Sequence, residues 1–330
     1  MYDRPHSFDT RGFLFAALCL VAAFGLLTAI RYGTVFASEH LRKSQTALVT
    51  PASAEEFTSI EDERAVEASG GTAPSRFTIS DKPLPHVSAK AFIVGDMETG
   101  TIFAHKNAAV TYPIASITKL LTALTAKELL PDGSAITLNA DDRRQTEGTP
   151  GSITLNESFP MEEALKALLT ESNNSISYAL ARAAGTDAFM AEMHTNAKEA
   201  GMRGATFEDP SGISSRNRAN AVDIFLLTRH LYDEAPDILA MTRATGETIT
   251  AKSGRRYSLG NFNVFHGDDR FLGGKTGYTN EARETMTTVF EVPVDGETAT
   301  VAFIVLGSED RKADIEKLRT WFRQAASKVE

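Results

Sequence analysis

The chain has 330 residues, 42% hydrophobic and 23% charged, with a net charge of −9. That balance suits a folded domain with appended sequence, and its acidity argues against nucleic-acid binding, which needs a basic face for phosphates. One cysteine and seven scattered histidines without an HExxH or Cys/His cluster leave no disulfide framework and no metal site to expect.

Residues 1–11 are a short N-terminal segment, and the elements start at residue 12. Residues 12–30, GFLFAALCLVAAFGLLTAI, are uncharged between Arg11 and Arg31. As a helix such a run spans about 28 Å, close to a bilayer core. It reads as an N-terminal transmembrane anchor or a long signal peptide; its length favours the anchor, while Ala37 offers a passable cleavage site. Residues 31–85 are rich in Ser, Thr, Ala, Glu and Pro without periodicity and read as a flexible tether.

A folded domain is expected over 86–330. AKAFIVGD (89–96) and TIFAHK (101–106) predict a hairpin turning at Gly100. Helices are predicted from Ser116 to about Leu130, over 160–172, 175–185 and 187–202, and over 221–234. Strand patterns return after 245, with turns at Ser253-Gly254 and Asp295-Gly296, and a final amphipathic helix covers 311–326. Strands at both ends with helices between predict one α+β domain, an antiparallel sheet covered by helices in which N- and C-terminal strands meet.

Three short patterns bear on chemistry. Ser116-Ile117-Thr118-Lys119 opens the first helix. Alone it is equally well a capping serine followed by a solvated lysine. Ser172-Asn173-Asn174 lies between two predicted helices, and Lys275-Thr276-Gly277 follows two glycines in a predicted strand. Weak singly, S-x-x-K, S-x-N and K-T-G in this order are the joint signature of penicillin-binding proteins and class A β-lactamases. His266 with Asp268 and Asp269 could suggest a triad, but Ser–Lys chemistry needs no histidine.

From about 89 to 322 the chain resembles the serine D-alanyl-D-alanine carboxypeptidases, the low-molecular-weight penicillin-binding proteins of the S11 type. The stretch GMRGATFEDPSGISSRNRANAVDI also resembles that family; Arg283 departs from it, standing where many members carry glycine. The resemblance implies a β-lactamase/transpeptidase-like fold with an all-helical subregion. It implies Ser116 as nucleophile, Lys119 as general base, and Ser172 bonded to Lys119 and passing a proton to the leaving amine. Asn174 would orient the substrate amide, and Lys275 and Thr276 would bind its carboxylate. Gly277 would allow close approach, and Tyr278 N–H would complete an oxyanion hole with Ser116 N–H. A lysine at its ordinary pKa is neutral only about once in 2,500 at pH 7, so Lys119 needs burial or a nearby cation, for which Lys275 is the candidate.

The implied partners are a peptidoglycan stem peptide, β-lactams as inhibitors, and the cytoplasmic membrane through the N-terminal segment, with the catalytic domain outside; no cofactor or metal is implied. Three other readings stay open: a D,D-endopeptidase on cross-links, a class A-like β-lactamase, and a catalytically dead wall-binding module. Against the β-lactamase, no E-x-x-L-N follows Ser172, and Leu155-Asn156 lies upstream of it.

Overall fold

The computed structural model describes residues 74–146 and 152–329. Its central sheet is antiparallel, in the order β10-β11-β12-β2-β3. The strands are β2 (Ala91–Asp96), β3 (Ile102–Lys106), β10 (Phe271–Thr279), β11 (Arg283–Val294) and β12 (Glu297–Ser308). The long β11–β12 hairpin turns at Asp295 and Gly296, φ 48° and 81°, the left-handed pair that a tight hairpin requires. β12 then pairs with β2, Ile304 opposite Ile93, so strands from the N- and C-terminal parts of the folded domain meet in one sheet.

Both sheet faces are buried, and the two-residue alternation of strands sorts their side chains. Ile93, Ala302, Ile304 and Leu306 join the core under the helices. Phe92, Val94, Val301, Phe303 and Val305 join a second core under the last helix, with Leu318, Trp321 and Phe322. Gly95 is needed for close packing: a Cβ there would stand 2.6 Å from the Phe225 ring.

The helices are α1 (Thr118–Leu129), α2 (Ala140–Arg144), α3 (Met161–Thr170), α4 (Asn174–Ala184), α5 (Thr186–Glu199), α6 (Ala221–Glu234), α7 (Pro236–Met241) and α8 (Arg311–Ala325). α1 is enclosed by its neighbours, with every residue from Thr118 to Ala126 buried. α6 starts at a reciprocal capping box, Asn220 with Asp223, and α4 starts where Asn173 Oδ1 accepts Ile176 N–H. Short ladders join β4 (Tyr112–Pro113) to β7 (Arg218–Ala219), β5 (Ala135–Thr137) to β6 (Ser158–Pro160), and β8 (Thr248–Thr250) to β9 (Arg256–Ser258).

The expected tether boundary at 85 needs correction. β1 (Phe77–Ile79) pairs with β13 (Ala326–Lys328), Phe77 and Val87 are buried, and Trp321 Nε1–H donates to Lys82 O at 3.1 Å. This segment docks on the C-terminal end of the chain, a partner too distant in sequence to leave a local pattern. The expected membrane segment, 12–30, lies outside the described residues. No helix among the described residues is long and apolar enough to cross a membrane.

Arg283 has a structural account. It is the first residue of β11, just after the tight connection from β10, and sits at φ 56°, where glycine carries no Cβ penalty. The arginine therefore holds a left-handed backbone position that glycine would occupy without strain.

Candidate active site

Ser116 lies in a single 3-10 turn, Ala115–Ile117, ahead of α1. The first turn of α1 has no side-chain cap, so Ser116 is not a capping serine. Instead Lys119 Nζ lies 2.8 Å from Ser116 Oγ. Lys119 is fully buried, so the solvated-lysine reading also fails.

Lys119 Nζ has two further neighbours: Asn174 Oδ1 at 2.8 Å and the Ser211 carbonyl at 2.6 Å. Both can only accept. A neutral amine has two protons and one lone pair; with both protons given to these oxygens, the lone pair is left for Ser116 O–H. Burial supplies the neutral form. It lowers the Lys119 pKa from 10.5 to about 7, against a smaller upward pull from the Asp209 carboxylate.

Lys275 is 2% exposed, in the edge strand β10. Its Nζ donates to Ser172 Oγ at 2.9 Å and to Thr276 O at 2.9 Å. Burial, then the charge of Lys119, then that of Arg311 push its pKa well below 10.5. Repulsion between the two ammoniums is mutual, so one proton on the pair is favoured over two.

The expected bond between Ser172 and Lys119 is therefore corrected: Ser172 belongs to Lys275, and Asn174 takes the place beside Lys119. The cause is backbone geometry. Ser172 sits at φ 58° in the turn between α3 and α4, whereas Asn174 is the first residue of α4. Strain of this kind persists only when surrounding structure enforces it, and it clusters at functional sites. Ala115, just before the nucleophile, is likewise at φ 47°.

Gly274 fixes which edge of β10 faces the cleft. Its N–H donates to Thr242 Oγ1 and its carbonyl accepts from Asn263, both away from β11. Two-residue alternation puts the N–H of Thr276 and Tyr278 on that same open edge. A Cβ on Gly277 would meet Ser116 N and Ile114 O at 2.9 Å, so β10 lies directly against the nucleophile's backbone. Tyr278 N–H and Ser116 N–H thus border one small space, suited to an oxyanion.

Ser116, Ser172, Asn174, Thr276, Gly277 and Tyr278 line one cavity of about 410 Å³, with the two lysines behind them. All eight expected residues are gathered here. His266 is not among them, and Asp268 is bonded to Arg319 instead.

Sequence reasoning missed Arg311 and Asp209. Arg311 opens α8, lines the cavity and donates to Gly277 O at 2.9 Å, while its buried Nε has no partner among the described residues. Nothing local marks it, because its position depends on a neighbour far along the chain. Asp209 Oδ1 accepts from Ser211 N, Ser211 Oγ and Gly212 N, and Oδ2 accepts from Ser214 N. It folds the loop that carries Ser211 O to Lys119. Asp-Pro-Ser-Gly is legible as a turn, but its meaning for the base is not.

An Asp209→Asn variant removes the charge that holds the Lys119 pKa up. The acid limb of Ser116 acylation is expected to move to lower pH, with a stability loss of about 1–3 kcal/mol from the amide facing Ser214 N–H. Penicillin acylation rates across pH and a thermal melt check both; an acid limb that stays in place removes Asp209 from this role.

Residues 77–309 match the model of the D-alanyl-D-alanine carboxypeptidase family, peptidase family S11. The chain belongs to this family. Among its relatives, a D-alanyl-D-alanine endopeptidase of Haemophilus influenzae is 30% identical over 59% of this chain and 68% of that protein. The D-alanyl-D-alanine carboxypeptidase DacF of Bacillus subtilis is 27% identical over 65% of this chain and 58% of that one. The D-alanyl-D-alanine carboxypeptidase structure from Mycobacterium tuberculosis shares the fold, with TM-score 0.65 at 23% identity over 77% of this chain and 99% of that one. Penicillin-binding protein D2 of Listeria monocytogenes in its ampicillin-bound form gives 0.60 at 27%, over 73% and 99%. Family membership makes the chain a peptidase whose homologues include carboxypeptidases and endopeptidases.

Proposed function

We propose that this S11 peptidase cleaves the bond following D-alanine in peptidoglycan stem peptides through an acyl-enzyme on Ser116, releasing D-alanine as a carboxypeptidase. The observation that carries this reading is the buried Lys119, whose two donor directions are occupied by Asn174 Oδ1 and Ser211 O.

Each step has a residue. Lys119 takes the Ser116 proton as Oγ attacks the D-alanyl carbonyl. The N–H groups of Ser116 and Tyr278 receive the oxyanion. The C–N bond breaks, and Ser172 gives its proton to the departing amine and regains one from Lys275, so the amine leaves neutral while the proton total is conserved. Exchange with solvent resets the two lysines, and water then hydrolyses the ester. Lys275, Thr276 and Arg311 hold the substrate carboxylate; its arrival raises the Lys275 pKa by supplying the missing counter-charge. Penicillins, with a carboxylate and a strained amide, would acylate the same serine.

We place the domain outside the cytoplasmic membrane, where the substrate is, with residues 12–30 as anchor or export signal. One experiment addresses chemistry and side together: a membrane-impermeant fluorescent penicillin applied to intact cells. Labelling is expected for the wild type and none for Ser116→Ala. Persistent labelling of Ser116→Ala would falsify the nucleophile, and labelling only after lysis would overturn the location. A long-lived adduct separates this chain from a β-lactamase, which would hydrolyse the drug quickly.

A further inference from the structure

The guanidinium of Arg311, in the wall of the active-site cavity, is committed through Nη1 only. Nη1 donates to Gly277 O at 2.9 Å. Nε is buried, and neither it nor Nη2 has a partner among the described residues. Nε and Nη2 form one edge of the group. Arg182 shows what such an edge does in this protein: its Nε and Nη2 take the two oxygens of Asp142, each at 2.9 Å. The same edge of Arg311 is left over for a carboxylate.

Glu284 accounts for where Arg311 stands. Arg311 is the first residue of α8, so its N–H has no partner inside the helix. That N–H donates to Glu284 Oε2 at 2.8 Å, and Oε1 is 3.9 Å from Nη1. An ion pair that long, with the glutamate side chain 30% exposed, is worth little by itself. The short bond to the helix N–H is the stronger restraint. It fixes where the Arg311 backbone begins, and Gly277 O then fixes the side chain.

The sheet places Glu284 for this. It is the second residue of β11, opposite Tyr278 of β10 and Ser308 of β12. Glu284 pairs with Ser308 but Met286 with Val305, so one extra residue stands on β12 between them. Such a bulge re-aims side chains beside it. Ser308 Oγ donates to Asp314 Oδ2 at 2.6 Å, which ties the same first turn of α8 to the end of β12.

We propose that Glu284 is a positioning residue: it holds Arg311 so that the Nε–Nη2 edge meets the carboxylate of the leaving residue. It does not itself touch the substrate. The proposal rests on the acyl-enzyme reading above, in which Arg311, Lys275 and Thr276 hold that carboxylate. The charge of Arg311 is felt at Lys275, so the two cations act on the same end of the cleft. Glu284 makes no printed contact with Ser116 or Lys119, so its replacement acts on recognition of the carboxylate rather than on the nucleophile and base.

The test compares acylation of Ser116 by benzylpenicillin and by its methyl ester, which lacks the carboxylate charge. The ratio of the two rate constants reads carboxylate recognition and does not depend on the fraction of protein folded. Glu284→Ala is expected to lower the ratio about tenfold, within the loss that a displacement of about 1 Å can bring. Glu284→Gln keeps an oxygen for the Arg311 N–H and should restore most of it. Arg311→Ala should lower the ratio at least as far, and adding Glu284→Ala to it should change the ratio no further, because the glutamate acts through the arginine. An unchanged ratio in Glu284→Ala, even with a lowered melting temperature, leaves Glu284 a helix cap and overturns the proposal. A further fall in the double variant overturns it as well. A wild type acylated by neither compound sinks the acyl-enzyme reading itself, whereas one acylated equally by both sinks the carboxylate role of Arg311 and the proposal with it.

Discussion

Replacing Lys119 by methionine is expected to slow acylation of Ser116 by a penicillin about 10³-fold, the middle of the range for removing a positioned general base. Methionine keeps most of the buried volume and has no proton acceptor of comparable strength. The wild-type profile should report the same group. Lys119 works only when neutral, and its pKa is lowered to about 7. Below that value the neutral fraction, and hence the rate, falls about tenfold per pH unit. Above it the rate levels off. The same lowered pKa acts on stability: an unfolded chain carries a lysine near 10.4 and binds more protons between about 7 and 10.4, so folding gains stability as pH rises through that window. Stopped-flow acylation between pH 5 and 9 measures the kinetic arm. A flat profile below pH 7, or a methionine variant within tenfold of the wild type, would remove Lys119 from the role of base. Methionine also leaves Asn174 Oδ1 and Ser211 O without their donor, so a melt must accompany the rates to show that the site still folds.

The site is unevenly legible in the sequence. Helix and strand patterns placed the long elements well, because α6 and the β11–β12 hairpin carry their own caps and turns. The short S-x-x-K, S-x-N and K-T-G patterns identified the residues that converge. They did not show that Ser172 faces Lys275 rather than Lys119, because that depends on a left-handed backbone at Ser172 that serine does not advertise. They also did not show why Lys119 is neutral. Burial and the charge of Lys275 were both open as causes; the dominant one is burial, with Thr118 to Ala126 of α1 enclosed by neighbours from distant parts of the chain. β1 escaped notice for a related reason: Phe77-Thr78-Ile79 is too short a pattern to call a strand, and its partner lies at the far end of the chain. Apart from the local conformation of Ser172, what the sequence missed is long-range, contacts between segments that become neighbours only after folding.

Gly212→Ala is expected to cost stability and catalysis together, because the loop and the nucleophile turn meet backbone to backbone. Gly212 sits at φ +83°, and a Cβ there would stand 2.0 Å from Ala115 O and 2.9 Å from Thr118 Oγ1. Ala115 is itself in a left-handed conformation and cannot easily yield. Relief requires either Ala115 to move, taking Ser116 with it, or the 209–214 loop to retreat, taking Ser211 O from Lys119. Overpacking and the unfavourable φ together amount to about 3 kcal/mol, which would lower the Tm by roughly 6–10 °C for a domain of this size. A shift of about 1 Å in the nucleophile or base would slow acylation by up to about 10²-fold. Gly254→Ala is the matched control: its φ is +86°, but nothing lies within 4 Å of the added Cβ. That variant should lose only about 1 kcal/mol and acylate as the wild type does, since only the backbone preference is violated. If both variants melt alike and Gly212→Ala acylates normally, the interlock between the Asp209 loop and the Ser116 turn does not support the site.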